Sequence, residues 1–134
     1  MRSVFVFPRC SRGDVEAQLE VLGQRRDLPA VGTEWVVGGA LYIVVRTEAR
    51  GLYLDWEDDD VEAISSSMGG RPSWALVVDV SGRIPGHEEV RHFLAAVIGT
   101  GGFAVDDYSN HTWTFAEIAA NTAIGDGRRF FRPE

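Results

Sequence analysis

The chain contains no lysine. Every permanently cationic side chain is an arginine, which excludes any mechanism built on a nucleophilic or Schiff-base lysine. Cysteine is almost as scarce. Cys10 stands alone, so no internal disulfide can form and a reducing, cytoplasmic compartment is expected. No base stands near Cys10 in the sequence, so it reads as a packed, inert thiol. Long apolar runs are also missing. Nothing approaches the roughly 20 residues of a membrane span, and no membrane association is expected. The apolar start of "MRSVFVFPRC" is too short for a signal peptide, lacks a small-residue cleavage site, and reads as a first strand. Positive charge is in deficit: 13 basic residues face 20 acidic ones, for a net charge of -7 and a pI near 4.9. A nucleic-acid-binding domain needs the opposite balance to neutralise phosphates. A basic protein partner is compatible with it.

What is present is the pattern of one α+β domain over residues 1–134, with no linker, repeat or compositional break. "SVFVFPR" alternates like an edge strand that stops at Pro8. "SRGDVEAQLEVLGQRR" carries Val15, Leu19 and Leu22 at helical spacing, with Ser11 and Asp14 placed as a capping box and Gly23 near the end. "EWVVGGALYIVVRTE" is β-branched and aromatic, with Gly38-Gly39 read as a bulge, and "EARG" turns it back into a hairpin with "LYLDW". "EDDDVEAISSSMGG" is a helix with Val61, Ile64 and Met68 on one face. "SWALVVDVSG" is nearly continuous in apolar residues, as a central strand is. In "GHEEVRHFLAAVIGTGG" the residues Val90, Phe93, Leu94, Val97 and Ile98 fall at i, i+3, i+4, i+7 and i+8. "FAVDDYS" is a short strand and "TFAEIAAN" a short helix, while the tail "GDGRRFFRPE" carries no clear signal. The expected order is β-α-β-β-α-β-α-β-α. Its first six elements follow a ferredoxin-like order, with an antiparallel or mixed sheet and helices packed mainly on one face.

The densest chemistry lies in "AVDDYSNHTWTFAEI", residues 104 to 118. Thr114 and Glu117 have the spacing of a capping box, and Trp113 and Ile118 that of a hydrophobic staple. Those four residues are accounted for by structure. Asp106, Asp107, Tyr108 and His111 are not. Two aspartates side by side on a strand point to opposite faces, so they share a site only if the strand ends there. Asp106, Asp107 and His111 are metal-ligand types, yet no second cluster completes a shell, and no metal or other cofactor is expected.

A second acidic group, Asp55, Trp56, Glu57, Asp58, Asp59 and Asp60, precedes a helix. Asp58 or Asp59 is placed to cap it, and the carboxylates favour its positive end. Four consecutive carboxylates exceed what capping needs. Beside Trp56 and Tyr53 they suit contact with a basic partner. "GTGG" follows a helix and precedes a strand, the reverse of a phosphate loop, and reads as a C-cap and turn. Arg83, in a loop, is a candidate anion contact. His87 and His92 stand at i, i+5 and make a poor metal pair. Ser81 lacks the nucleophile elbow of hydrolases.

Gly101, Gly102, Asp106, Asp107, Trp113, Thr114, Glu117 and Ile118 together form a pattern of paired glycines, a strand, paired aspartates and a "WT..EI" helix start. It resembles small actinobacterial proteins and the immunity proteins of bacterial polymorphic toxin systems. The likeness covers roughly the last half of the chain. It implies a non-catalytic protein that neutralises a cognate toxin by binding it. The expected contact residues are then Asp55 to Asp60 and a second patch of Asp107, Tyr108 and His111. The rival expectation is a small enzyme or ligand-binding domain centred on Asp106, Asp107 and His111. A pocket lined by those three favours the rival, and a flat, exposed distribution favours the binder.

Overall fold

A computed structural model describes residues 2–30, 32–125 and 127–132. Six strands form one antiparallel sheet: β1 (Arg2–Pro8), β2 (Gln24–Leu28), β3 (Gly32–Val37), β4 (Leu41–Thr47), β5 (Trp74–Val80) and β6 (Gly102–Asp106), in the order β2-β3-β4-β5-β1-β6. Four α-helices accompany it: α1 (Arg12–Leu22), α2 (Asp58–Met68), α3 (His87–Ile98) and α4 (Phe115–Ala119). The α+β class is as the sequence reads. Its order gains a strand, so the first six elements run β-α-β-β-β-α and depart from the ferredoxin-like order.

The added strand is β2. Its sequence "QRRDL" is exposed over four of five residues, so no apolar period marks it. The helix before it stops at Leu22 because Gly23 brings the backbone against β3. A Cβ there would stand 2.7 Å from the Val36 carbonyl oxygen. Charged side chains on this edge also discourage pairing with another chain. Gly38-Gly39 is a hairpin turn and not a bulge: both glycines have positive φ (61° and 68°) and join β3 to β4. Two consecutive residues with positive φ match the right-handed twist of a tight hairpin, which glycine alone meets without strain.

"LYLDW" is correspondingly not a strand. The chain turns at Gly51 and drives Leu52 into the core, while the Tyr53 hydroxyl donates to the Pro72 carbonyl at 2.6 Å. Nor is β1 an edge. It lies between β5 and β6, and Pro8 is tolerated because it occupies the last position, opposite Gly102.

Alternation along β1 divides the interior in two. Val4 and Val6 join Val15 and Leu19 of α1, the five apolar residues of α3, and Trp113 and Ile118 on one face. Phe7, with half-buried Phe5, joins Leu52, Ile64 of α2, Ala75 and Val105 on the other. Three helices therefore cover one face and α2 alone lies on the second. All five expected α3 residues are buried, each contributing about 1.5–3 kcal/mol relative to exposure.

Candidate functional site: an acidic cleft beside α2

The face under α2 is only partly covered. Between the start of α2 and the sheet lies a cleft of about 630 Å³. Its floor is the sheet itself, with Ser3 and Phe5 from β1, Val77 and Asp79 from β5, and Val105 from β6. Register explains the set. Ser3 pairs with Asp79, and Phe5 with both Val77 and Val105, so these side chains fall in adjacent cross-strand rows. Asp55, Trp56 and Asp60 form one wall, and residues 107–110 after β6 form the other. Arg46 is the only cation among its described lining residues.

The two expected contact patches thus meet in one place, but not whole. Asp55, Trp56, Asp60, Asp107 and Tyr108 line the cleft; Glu57, Asp58, Asp59 and His111 do not. The division within the acidic run follows from the helix start. Glu57 occupies the N-cap position with no side-chain cap bond, and Asp58, Asp59 and Asp60 form the first turn. Capping by Asp58 or Asp59 is therefore incorrect: one and two residues past the N-cap, they act only on the positive helix end. The first turn carries Asp60, half-buried, to the cleft and leaves Glu57 to Asp59 in solvent. Trp56 is held by edge-to-face contacts with Phe5, Phe7 and Tyr53, at centroid distances of 5.2, 5.8 and 5.3 Å. That aromatic clamp fixes the wall against the sheet.

The adjacent aspartates do diverge. The Asp106 carboxylate turns to the helix-rich face, where it accepts from the Phe131 amide at 2.6 Å and the Tyr108 amide at 3.2 Å. Burial raises its pKa, and the Phe131, Tyr108 and Ser109 amides pull the other way. Asp106 therefore fastens the C-terminal segment. Asp107, exposed, accepts from the Ser3 amide at 2.7 Å and presents its charge to the cleft. His111 is elsewhere. Its ring packs on Trp113 at 4.5 Å and its Nε2 lies 3.2 Å from both Glu117 oxygens. The trio behind the enzyme expectation is thus dispersed, although two of its members border a cleft.

Thr114 and Glu117 form the reciprocal capping box: the Thr114 hydroxyl accepts from the Glu117 amide at 3.2 Å, and Glu117 Oε1 accepts from the Thr114 amide at 2.9 Å. Trp113 and Ile118 are buried in the same cluster, as a staple requires. Burial pushes the Glu117 carboxyl up, but the Thr114 amide and His111 outweigh it, so its pKa is lowered.

Arg83 is exposed in the loop after β5, and its amide donates to the Ser81 hydroxyl. Ser3, Phe5, Arg46 and Asp79 were not singled out from sequence. One signal was available for Asp79, a lone carboxylate inside an apolar strand; its Oδ1 accepts from the Ser3 hydroxyl at 2.6 Å. Among the described residues, no group of three or more His, Cys, Asp or Glu side chains is placed to hold a metal ion, and no helix is long and apolar enough to cross a membrane. No protein-family model matches the chain, and no curated protein or solved structure matches it.

Proposed function

We propose that the protein is a non-catalytic binding module that captures a basic protein partner in the cleft, acting as an immunity protein that neutralises a bacterial toxin. The observation that carries this reading is the convergence of Asp55, Asp60, Asp79 and Asp107 around one concavity, where Arg46 is the one cation among the described lining residues. A cleft lined by one sign of charge concentrates its field outward and steers an oppositely charged partner toward it. Phe5, Val77 and Trp56 add apolar surface against which the stem of an arginine or lysine can lie. An enzymatic reading is less well supplied, because Asp106 is occupied by backbone amides and His111 by Glu117.

The test is association with the protein encoded beside it, measured by titration calorimetry for the wild type and for a variant carrying Asp55→Asn, Asp60→Asn and Asp79→Asn. Binding by the wild type that weakens at least tenfold in the variant, and weakens with added salt, is expected. Equal binding by both proteins rejects the cleft as the contact surface. Turnover of a substrate that disappears on changing Asp107 or His111 rejects the non-catalytic reading.

A further inference from the structure

The cleft is the deep end of a larger bare surface. On the α2 face, register carries the row of Ser3 and Asp79 onward to Tyr42 of β4 and Val36 of β3, and the row of Phe5 and Val77 onward to Val44. Val36, Tyr42 and Val44 belong to neither buried cluster, and all three are half-buried. The buried core on this side is confined to β1, β5 and β6, where Leu52 and Ile64 sit, and the Arg26 guanidinium lies over the Tyr42 ring. A small apolar patch of Val36, Tyr42 and Val44, flanked on the same face by Glu34 and Arg46, therefore adjoins the acidic hollow.

Charge is graded along the same surface. At the strip, Arg26 pairs with Glu34 and stacks over Tyr42 at 5.9 Å, so charge there is internally balanced. At the cleft, the aspartates outnumber Arg46. A second copy of this chain is a poor occupant, since a net charge of -7 on each copy opposes association. The complementary partner is apolar where it meets Val36, Tyr42 and Val44, and basic where it meets Asp60, Asp79 and Asp107. Resting on the reading of the cleft given above, we infer that the uncovered face of β3 and β4 extends the binding surface, and that the partner supplies an amphipathic helix laid across it with an apolar stripe and arginine or lysine at its cleft end. Such docking buries an unpartnered sheet face in the same way α2 does on the neighbouring strands.

The probes are two peptides of identical leucine, alanine and arginine composition, each about five helical turns long. One places leucine on a single helical face; the other is scrambled. Affinity is read by titration, and contact by amide chemical shifts of the wild-type protein. Tighter binding of the amphipathic peptide, by roughly tenfold, with shifts at Val36, Tyr42 and Val44 as well as at the cleft, is the expected result. Val44→Thr, isosteric and suited to a strand, should remove most of that advantage while leaving the scrambled peptide's affinity unchanged. Tyr42→Ala provides an independent second variant. Equal binding of both peptides, with shifts confined to the cleft, overturns the extended surface and leaves the cleft reading standing. Absence of binding by both overturns the two together. A dimer in sedimentation that Val44→Thr dissociates also overturns the inference, because a second copy then covers the face.

Discussion

The two faces of this sheet are made from the same strands and have opposite fates. One face carries α1, α3 and α4 and holds most of the fully buried side chains, including Trp113, Leu94 and Ile98. The other carries α2 alone, and beyond its reach Ser3 and Asp79 replace the apolar residues that a covered sheet requires, with Asp107 beside them just after β6. Polar and charged side chains placed on a sheet face forgo the stabilisation of burial. The first face supplies most of the buried core; the second, beyond Phe7, Leu52 and Ile64, is where binding is expected. Asp106 and Asp107 show the same contrast between adjacent residues. One is buried and accepts from the Phe131 and Tyr108 amides, and the other is exposed at the cleft.

Substitutions on the covered face should have the largest effects. Leu94→Ala removes a fully buried side chain from the centre of α3 and should cost about 2–5 kcal/mol in chemical denaturation. A loss below 1 kcal/mol would place the core elsewhere. Asp106→Ala comes next, at about 1–3 kcal/mol, since the Phe131 and Tyr108 amides lose their acceptor. Asp107→Ala should cost distinctly less, and equal losses would erase the distinction between the two faces at this pair.

Thr114→Ala should cost about 0.5–2 kcal/mol. Its effect should be non-additive with Glu117→Ala, because one capping box joins them. The same box has a pH signature. A carboxyl whose folded pKa is depressed contributes stability above its unfolded value, and this is lost as pH falls through the folded value. For Glu117 the loss should begin near the ordinary value of 4.5 and continue below it. Melting of wild type and Glu117→Gln should therefore differ at neutral pH and converge in acid; a constant gap across pH would remove the ionic contribution of the box. The smallest effects are expected in the cleft. Asp55→Asn and Asp60→Asn should each change stability by less than about 0.5 kcal/mol, since both carboxylates stand at the cleft wall and neither is fully buried.

Legibility in the sequence followed hydrophobic periodicity. The α3 face, the central strand β5 and the Thr114–Glu117 box could all be read because burial or capping fixes residue type at a fixed spacing. β2 was invisible because a charged edge strand has no apolar period. "LYLDW" misled because Leu52, Tyr53 and Trp56 are apolar for another reason: they plug the gap between α2 and the sheet. The cleft was half legible. Its acidic wall showed as an excess of carboxylates, whereas Ser3, Phe5 and Asp79 are joined to it by strand register, a pairing that no local pattern encodes.

The acidic cleft on the half-covered face is proposed above as the surface that recognises cations on a partner. A nuclear magnetic resonance titration of the wild-type protein with a short arginine-only peptide tests it most directly. Saturable amide shifts are expected at residues 3–5, 77–79 and 105–110 and around Asp60, suppressed by salt and absent when Asp60 and Asp79 are both changed to Asn. Shifts spread evenly over Glu57 to Asp59, Glu88 and Glu89, or undiminished in that double variant, would contradict it.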